Sequence, residues 1–132
     1  MKKKILVVDD EEVNRSLVAA FLQYQFPDAE ILQAQNGLEA KTKLEECPVG
    51  ALPNALFTDF EMPGMNGLEL IRFIRNSDNP ALSDLPIVMV SGLAGERAVT
   101  LMVNVKTLNC FFLAKPFKSE EFFQILSEVW QV

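Results

Sequence analysis

The chain has 132 residues, 49% of them hydrophobic and 23% charged, with 18 acids against 12 bases. These are the length and composition of one globular domain, which excludes a coiled coil, a collagen-like repeat and wholesale disorder. The net charge of −6 disfavours direct binding to nucleic acid, and the lack of any histidine removes Ser-His-Asp triads, Cys-His pairs and every histidine-bearing zinc site.

Lys2-Lys3-Lys4 precedes the apolar run Ile5-Leu6-Val7-Val8, which stops at Asp9-Asp10. That run is too short for a signal-peptide core, and none in the chain approaches the roughly 18 residues of a membrane span, so a cytoplasmic protein without membrane contact is expected. Cys47 and Cys110 lie far apart and read as buried free thiols.

In chain order, Ile5–Val8 reads as a strand buried on both faces. Val13, Leu17, Ala20, Phe21 and Tyr24 recur at helical spacing until Pro27-Asp28. Ala29–Ala34 is a second strand, and Gly37–Glu46 a polar helix carrying Leu38 and Leu44. The segment 47–53 is a loop, with two prolines and a glycine. Ala55–Thr58 is a third strand that delivers Asp59, followed by the turn-rich Met62-Pro63-Gly64-Met65-Asn66-Gly67. Leu68, Ile71 and Ile74 open the next helical face, and Asn76–Ser83 reads as a loop. Ile87–Val90 is a fourth strand. The fourth helix carries Ala94, Ala98, Leu101 and Val105, with Val99, Met102 and Val103 beside them. Cys110–Ala114 is a fifth strand, and Ser119 is expected to cap a last helix bearing Phe122, Leu126 and Val129. Five strand–helix alternations specify a parallel α/β sheet with right-handed crossovers and helices on both faces.

In such sheets ligands bind at the carboxyl ends of the strands. Four ends here carry reactive groups: Asp9-Asp10, Asp59, Ser91 and Lys115-Pro116. Each has a plainer role available, since Asp9 to Glu12 also suit an N-cap and an acidic first helical turn. Together they suit a different chemistry. Three carboxylates converging on one edge repel each other, and a hard divalent cation resolves this. A lysine and a hydroxyl facing the same spot complete a phosphate site.

Those pieces, in order, are Ile5-Leu6-Val7-Val8-Asp9-Asp10, Asp59-Phe60-Glu61-Met62-Pro63-Gly64-Met65-Asn66-Gly67, Val88-Met89-Val90-Ser91-Gly92 and Lys115-Pro116-Phe117. The sequence resembles the receiver domain of bacterial two-component response regulators, of the single-domain chemotaxis type, across residues 1–132. The resemblance implies a three-layer, doubly wound (βα)5 flavodoxin-like sandwich with strand order 2-1-3-4-5. It implies phosphoryl transfer from a phosphohistidine on a sensor histidine kinase or phosphotransfer protein to Asp59. Mg2+ (or Mn2+) would be held by Asp10, by Asp9 through water, by Asp59 and by the Glu61 main-chain carbonyl. Ser91 and Phe112 match the switch pair, Lys115 the phosphate partner, and Pro116 a residue preceded by a cis bond. The fourth helix, fifth strand and last helix would form the face that reports to a downstream target.

Departures from the family pattern bear on lifetime and output. Glu61 places an acid where glutamine, asparagine or methionine is more typical, with repulsion of anionic donors, metal contact and altered phosphoryl lifetime all open. Gly92 stands where alanine is common, Phe111 where glycine is common, and Phe112 lacks a tyrosine hydroxyl. The apolar excess on the fourth helix fits either packing under a loop or a docking surface for a dimer mate or target, with Trp130 joining it or finishing the last helix. The expected protein is a phosphoacceptor signalling domain that assists its own phosphorylation and dephosphorylation, rather than an enzyme in its own right. A phosphorylation-independent interaction module and an aspartyl hydrolase are the alternatives. The start at Met1 suits an N-terminal domain, and the last helix leaves no room here for an output module.

Overall fold

The short apolar runs at the centre of the sheet form strands because both of their faces can be buried at once, which needs a helical layer on each side. In a computed structural model of the chain, residues 2–48 and 50–130 are described; Val49, from the 47–53 loop, and Met1, Gln131 and Val132 lie outside them. The strands are β1 (Lys4–Val8), β2 (Glu30–Ala34), β3 (Ala55–Asp59), β4 (Ile87–Ser91) and β5 (Phe111–Ala114). Between and after them run α1 (Glu12–Gln25), α2 (Gly37–Glu45), α3 (Gly67–Arg75), α4 (Pro80–Ser83), α5 (Gly95–Thr107) and α6 (Ser119–Trp130). Every pairing is parallel and the order is β2-β1-β3-β4-β5, as expected for the flavodoxin-like arrangement.

Successive strand residues point to opposite faces, and β1 shows the result. Ile5 and Val7 join a core with Val18 and Leu22 of α1 and Phe122 and Leu126 of α6. Leu6 and Val8 join a second core with Leu44 of α2, Leu70, Ile71 and Ile74 of α3, and Leu101 and Val105 of α5. No helix among the described residues is long and apolar enough to cross a membrane.

Several local expectations need correction. The α1 stripe is rotated: Val13, Leu17 and Tyr24 are exposed, whereas Val18 and Leu22 are buried. Apolar residues populate both sides of this helix, so spacing alone admits two orientations. Arg15 helps to select one, donating from Nη1 to the Asp9 carbonyl (2.7 Å) and from Nε to Gln33 Oε1 (3.1 Å). On α2 the buried face is Gly37, Ala40 and Leu44, leaving Leu38 exposed. The predicted 76–83 loop contains α4, nucleated by Pro80 in its first turn and by Asn79, whose side chain accepts from the Ala81 N–H. Ser119 is the first residue of α6, not its cap; the Lys118 N–H instead donates to Glu121 Oε1 at 2.8 Å.

Cys47 is only half-buried, while Cys110 is buried as expected. Trp130 finishes α6: it meets Phe26 edge-on at 5.1 Å, and Lys3 Nζ sits 4.7 Å from its ring centroid. It has no part in the α5 surface. There Val99 and Val103 are exposed, uncovered by any loop among the described residues.

Arg75, at the end of α3, ties three segments together. Its Nε donates to the Leu108 carbonyl (2.7 Å), and Nη1 to those of Ser83 (2.9 Å) and Leu85 (2.8 Å). Nη2 reaches the Asn109 carbonyl (3.3 Å) and Cys110 Sγ (3.4 Å). Arg75→Met, which keeps the stem and deletes the donors, is expected to lower stability by about 2–3 kcal/mol in urea unfolding at unchanged m-value. A loss under about 0.5 kcal/mol, the range of ordinary surface changes, would refute this anchoring role.

Candidate functional site

The sheet register gathers the reactive residues. Val8 lies opposite Thr58, Asp59 opposite Val90, and Ser91 opposite Ala114. Asp9, Asp59, Ser91 and Lys115 therefore leave the sheet along one edge, where β1 is flanked by β2 and β3 and the winding reverses. Asp59, Ser91 and Lys115 border an open cleft of about 740 Å³, which Asp10, Glu11 and Glu61 also line.

Asp9 does not cap α1, whose cap residue is Glu11, with no side-chain cap hydrogen bond. Asp9 Oδ1 accepts the Glu11 N–H at 2.9 Å, shaping the turn into α1, while its Oδ2 lies 3.7 Å from Lys115 Nζ. Asp10 is exposed at the cleft. Asp59 is buried, with Oδ1 3.4 Å from the same lysine nitrogen. Carboxylate oxygens of Asp9, Asp10 and Asp59 all fall within 4.8 Å of one another. That hard-oxygen donor set, open to solvent on one side, fits a divalent cation that keeps several waters.

The backbone holds this geometry closely. The Thr58 hydroxyl donates to the Asp59 carbonyl at 2.9 Å, and the Gly67 N–H donates to the Phe60 carbonyl at 2.9 Å. A side chain at position 67 would overlap the Asp59 carbonyl oxygen, so only glycine lets α3 start this close to β3. Gly64, at φ +78°, makes the left-handed turn between them. Asn66 and Glu69 close α3 with a reciprocal capping box.

Ser91 is buried, its Oγ accepting the Leu93 N–H at 3.2 Å. Lys115 is placed by its own N–H, which donates to the Ser91 carbonyl at 2.7 Å, and the Lys115–Pro116 bond is cis. Glu61 is exposed on the cleft wall. Phe112 stands away from the cleft lining, half-buried against the core beneath α5, while Phe111 packs on the opposite core. Sequence reasoning missed two arginines. Arg15 holds the acidic turn, and Arg97 lines the cleft from the first turn of α5. The signal for Arg97 was available: a helix that follows a strand directly presents its first turn at the same edge.

Burial pushes the Asp59 carboxyl up to about 6; Lys115 opposes this, Asp9 adds to it, and the Phe60 N–H and the Lys115 hydrogen bond pull it back down. Asp9 is also raised, again chiefly by burial. A folded-state value above the unfolded one means the native state holds the extra proton between about pH 4 and 6, so stability falls as pH rises through that window. Asp59→Asn is therefore expected to stabilise the metal-free protein at pH 7.5 by about 1–2 kcal/mol, a figure reduced for the solvent-open side of the cleft. The gain should shrink to nothing towards pH 4 in urea titrations. A variant less stable than wild type at pH 7.5 would contradict it.

A family model for the response regulator receiver domain matches residues 5–127. The chemotaxis protein CheY1 of Helicobacter pylori (strain ATCC 700392 / 26695) is 31% identical over 129 residues, covering 98% of this chain and 94% of that protein. The structure of the chemotaxis response regulator CheY4 of Vibrio cholerae superposes with a TM-score of 0.78 at 26% identity, over 98% of this chain and 99% of that one. A response regulator receiver protein from Pseudomonas putida superposes at 0.76 and 28% identity, over 97% and 98%. With an acidic triad, a serine and a lysine at one sheet edge, the chain belongs to the response regulator receiver domain family of signalling proteins.

Proposed function

We propose that this chain is a phosphoacceptor switch, taking a phosphoryl group onto Asp59 from the phosphohistidine of a sensor histidine kinase or phosphotransfer protein. The observation that carries the reading is the placement of Asp59 beside Asp9, Asp10 and Lys115 at one sheet edge, with Asp10, Asp59 and Lys115 lining an open cleft. Asp59 Oδ forms the new bond to phosphorus as the phosphorus–nitrogen bond breaks, and the departing imidazole keeps the electron pair. No general base is needed, because a carboxylate already carries its charge. Asp10 and Asp59 would hold Mg2+ (or Mn2+) directly, with Asp9 through water and the Glu61 main-chain carbonyl completing the set. The bound ion would offset charge on the carboxylates and on the phosphoryl oxygens.

Lys115 then pairs with the phosphoryl group, and Ser91 turns its hydroxyl from the Leu93 N–H towards it. The space that Ser91 leaves admits Phe112, which already packs against the core under α5. Through Phe112 the α5–β5–α6 face changes shape for a downstream target, with exposed Val99 and Val103 available to that target or to a second copy on phosphorylation. The same residues assist loss of the phosphoryl group to water. This reading carries with it the cytoplasmic location and the absence of direct nucleic-acid binding expected from the sequence.

Incubation with Mg2+ and acetyl phosphate is expected to add about 80 Da, one phosphoryl group, in a base-labile linkage that Asp59→Asn abolishes. No adduct with a competent donor would point instead to an interaction module that works unphosphorylated. Sustained phosphate release over many turnovers would point to a hydrolase.

A further inference from the structure

Four carboxylates line the cleft, Asp10, Glu11, Asp59 and Glu61, against two cations, Lys115 and Arg97. An approaching phosphodonor is itself an anion, so the state of those cations matters. Lys115 is already engaged, 3.7 Å from Asp9 and 3.4 Å from Asp59, and these are the two ion pairs among the described residues. Arg97 has no carboxylate partner among those residues, Glu61 included, although both line the same cleft. It projects from the first turn of α5, a helix whose cap residue Ala94 offers no side-chain hydrogen bond to the exposed backbone N–H groups. With Phe60, Arg97 also borders an adjoining groove of about 400 Å³ between α3 and α5, so its exposed side chain stands where groove and cleft meet. A guanidinium is a planar fork that matches two phosphate oxygens at once, which the single ammonium of Lys115 cannot do.

We propose that Arg97 is a donor-binding residue: it grips the phosphate of the incoming phosphodonor at the mouth of the cleft and offsets the repulsion of the surrounding carboxylates. This rests on the phosphoacceptor reading and gives the site a second anion contact, distinct from Lys115. Lys115 faces the acceptor carboxylate; Arg97 faces the arriving group. Because Glu61 shares the cleft wall, the competing explanation is that Arg97 merely neutralises Glu61, and the two are separable.

The test is the second-order rate constant for phosphorylation of Asp59 by acetyl phosphate with saturating Mg2+, followed by intact mass, together with loss of the phosphoryl group after donor removal. Arg97→Ala is expected to lower the phosphorylation constant roughly tenfold, the worth of one charge-assisted hydrogen bond, and to change the loss rate less than about twofold. Arg97→Lys, keeping the charge without the fork, should fall between. The Arg97→Ala effect should persist for the greater part in a Glu61→Gln background, where three of the four carboxylates remain. An unchanged constant in Arg97→Ala, or an effect that disappears with Glu61→Gln, overturns the proposal while leaving the phosphoacceptor reading intact. A wild-type protein that takes no phosphoryl group at all brings down both, and so marks the failure as that of the parent reading.

Discussion

Three carboxylates lie within 4.8 Å of one another, and a single lysine pairs with the two that are buried, Asp9 and Asp59. This is the constraint the rest of the structure accommodates. Left to themselves Asp9, Asp10 and Asp59 would separate, because their mutual repulsion and the loss of solvation both oppose the charged state. The fold prevents separation by fixing the backbone around them and, for Asp9, the side chain as well. Asp9 is locked by Glu11 and Arg15, Asp59 by Thr58 and by the close approach of Gly67, and Lys115 by its ladder bond to Ser91. Folding energy stored in two apolar layers thereby maintains a site that would not assemble by itself.

The location of the strain follows from topology. A parallel sheet needs both faces covered, so its strands are apolar to their last residues and polar chemistry is pushed to the carboxyl ends. Here β3 and β4 end in Asp59 and Ser91, and β1 and β5 are followed at once by Asp9 and Lys115, each able to bind a cation or an anion. The opposite pole has a different purpose. Arg75 joins the end of α3 to the turns before β4 and β5, so the base of the sheet is rigid while the cleft end stays open. In the proposed switch, such a base would confine the change of state to the loops above the sheet and to α5.

The parallel sheet and the edge carrying the site were legible because apolar run length and strand-end polarity are strong, local signals, whereas the strand order came from the family resemblance. Asp9, Asp10, Asp59, Ser91 and Lys115 could be placed together from strand–helix alternation, since ligands bind at the carboxyl ends of the strands in such sheets. Helix rotation was less legible. The α1 sequence carries apolar residues on more than one face, and the contacts of Arg15 with the acidic turn and with β2 help to decide which is buried. Trp130 was ambiguous for a related reason, since its partners Phe26 and Lys3 come from elements far off in sequence. The α4 turn was hidden by Pro80, which reads as a breaker but serves well at a helix start. Arg97 escaped notice because it belongs to no motif. Its importance is purely positional.

If carboxylate repulsion is the organising constraint, relieving it should be measurable without any phosphodonor. The direct measurement is the thermal midpoint with about 10 mM Mg2+ against a sodium salt of equal ionic strength, from pH 5 to pH 8. The account predicts that Mg2+ raises the midpoint by several degrees above pH 7, and that the effect fades below about pH 6 as Asp59 takes up its proton. Asp10→Asn should largely remove it. A midpoint indifferent to Mg2+ at pH 7.5, or a rise equally large at pH 5 and in Asp10→Asn, would contradict the account.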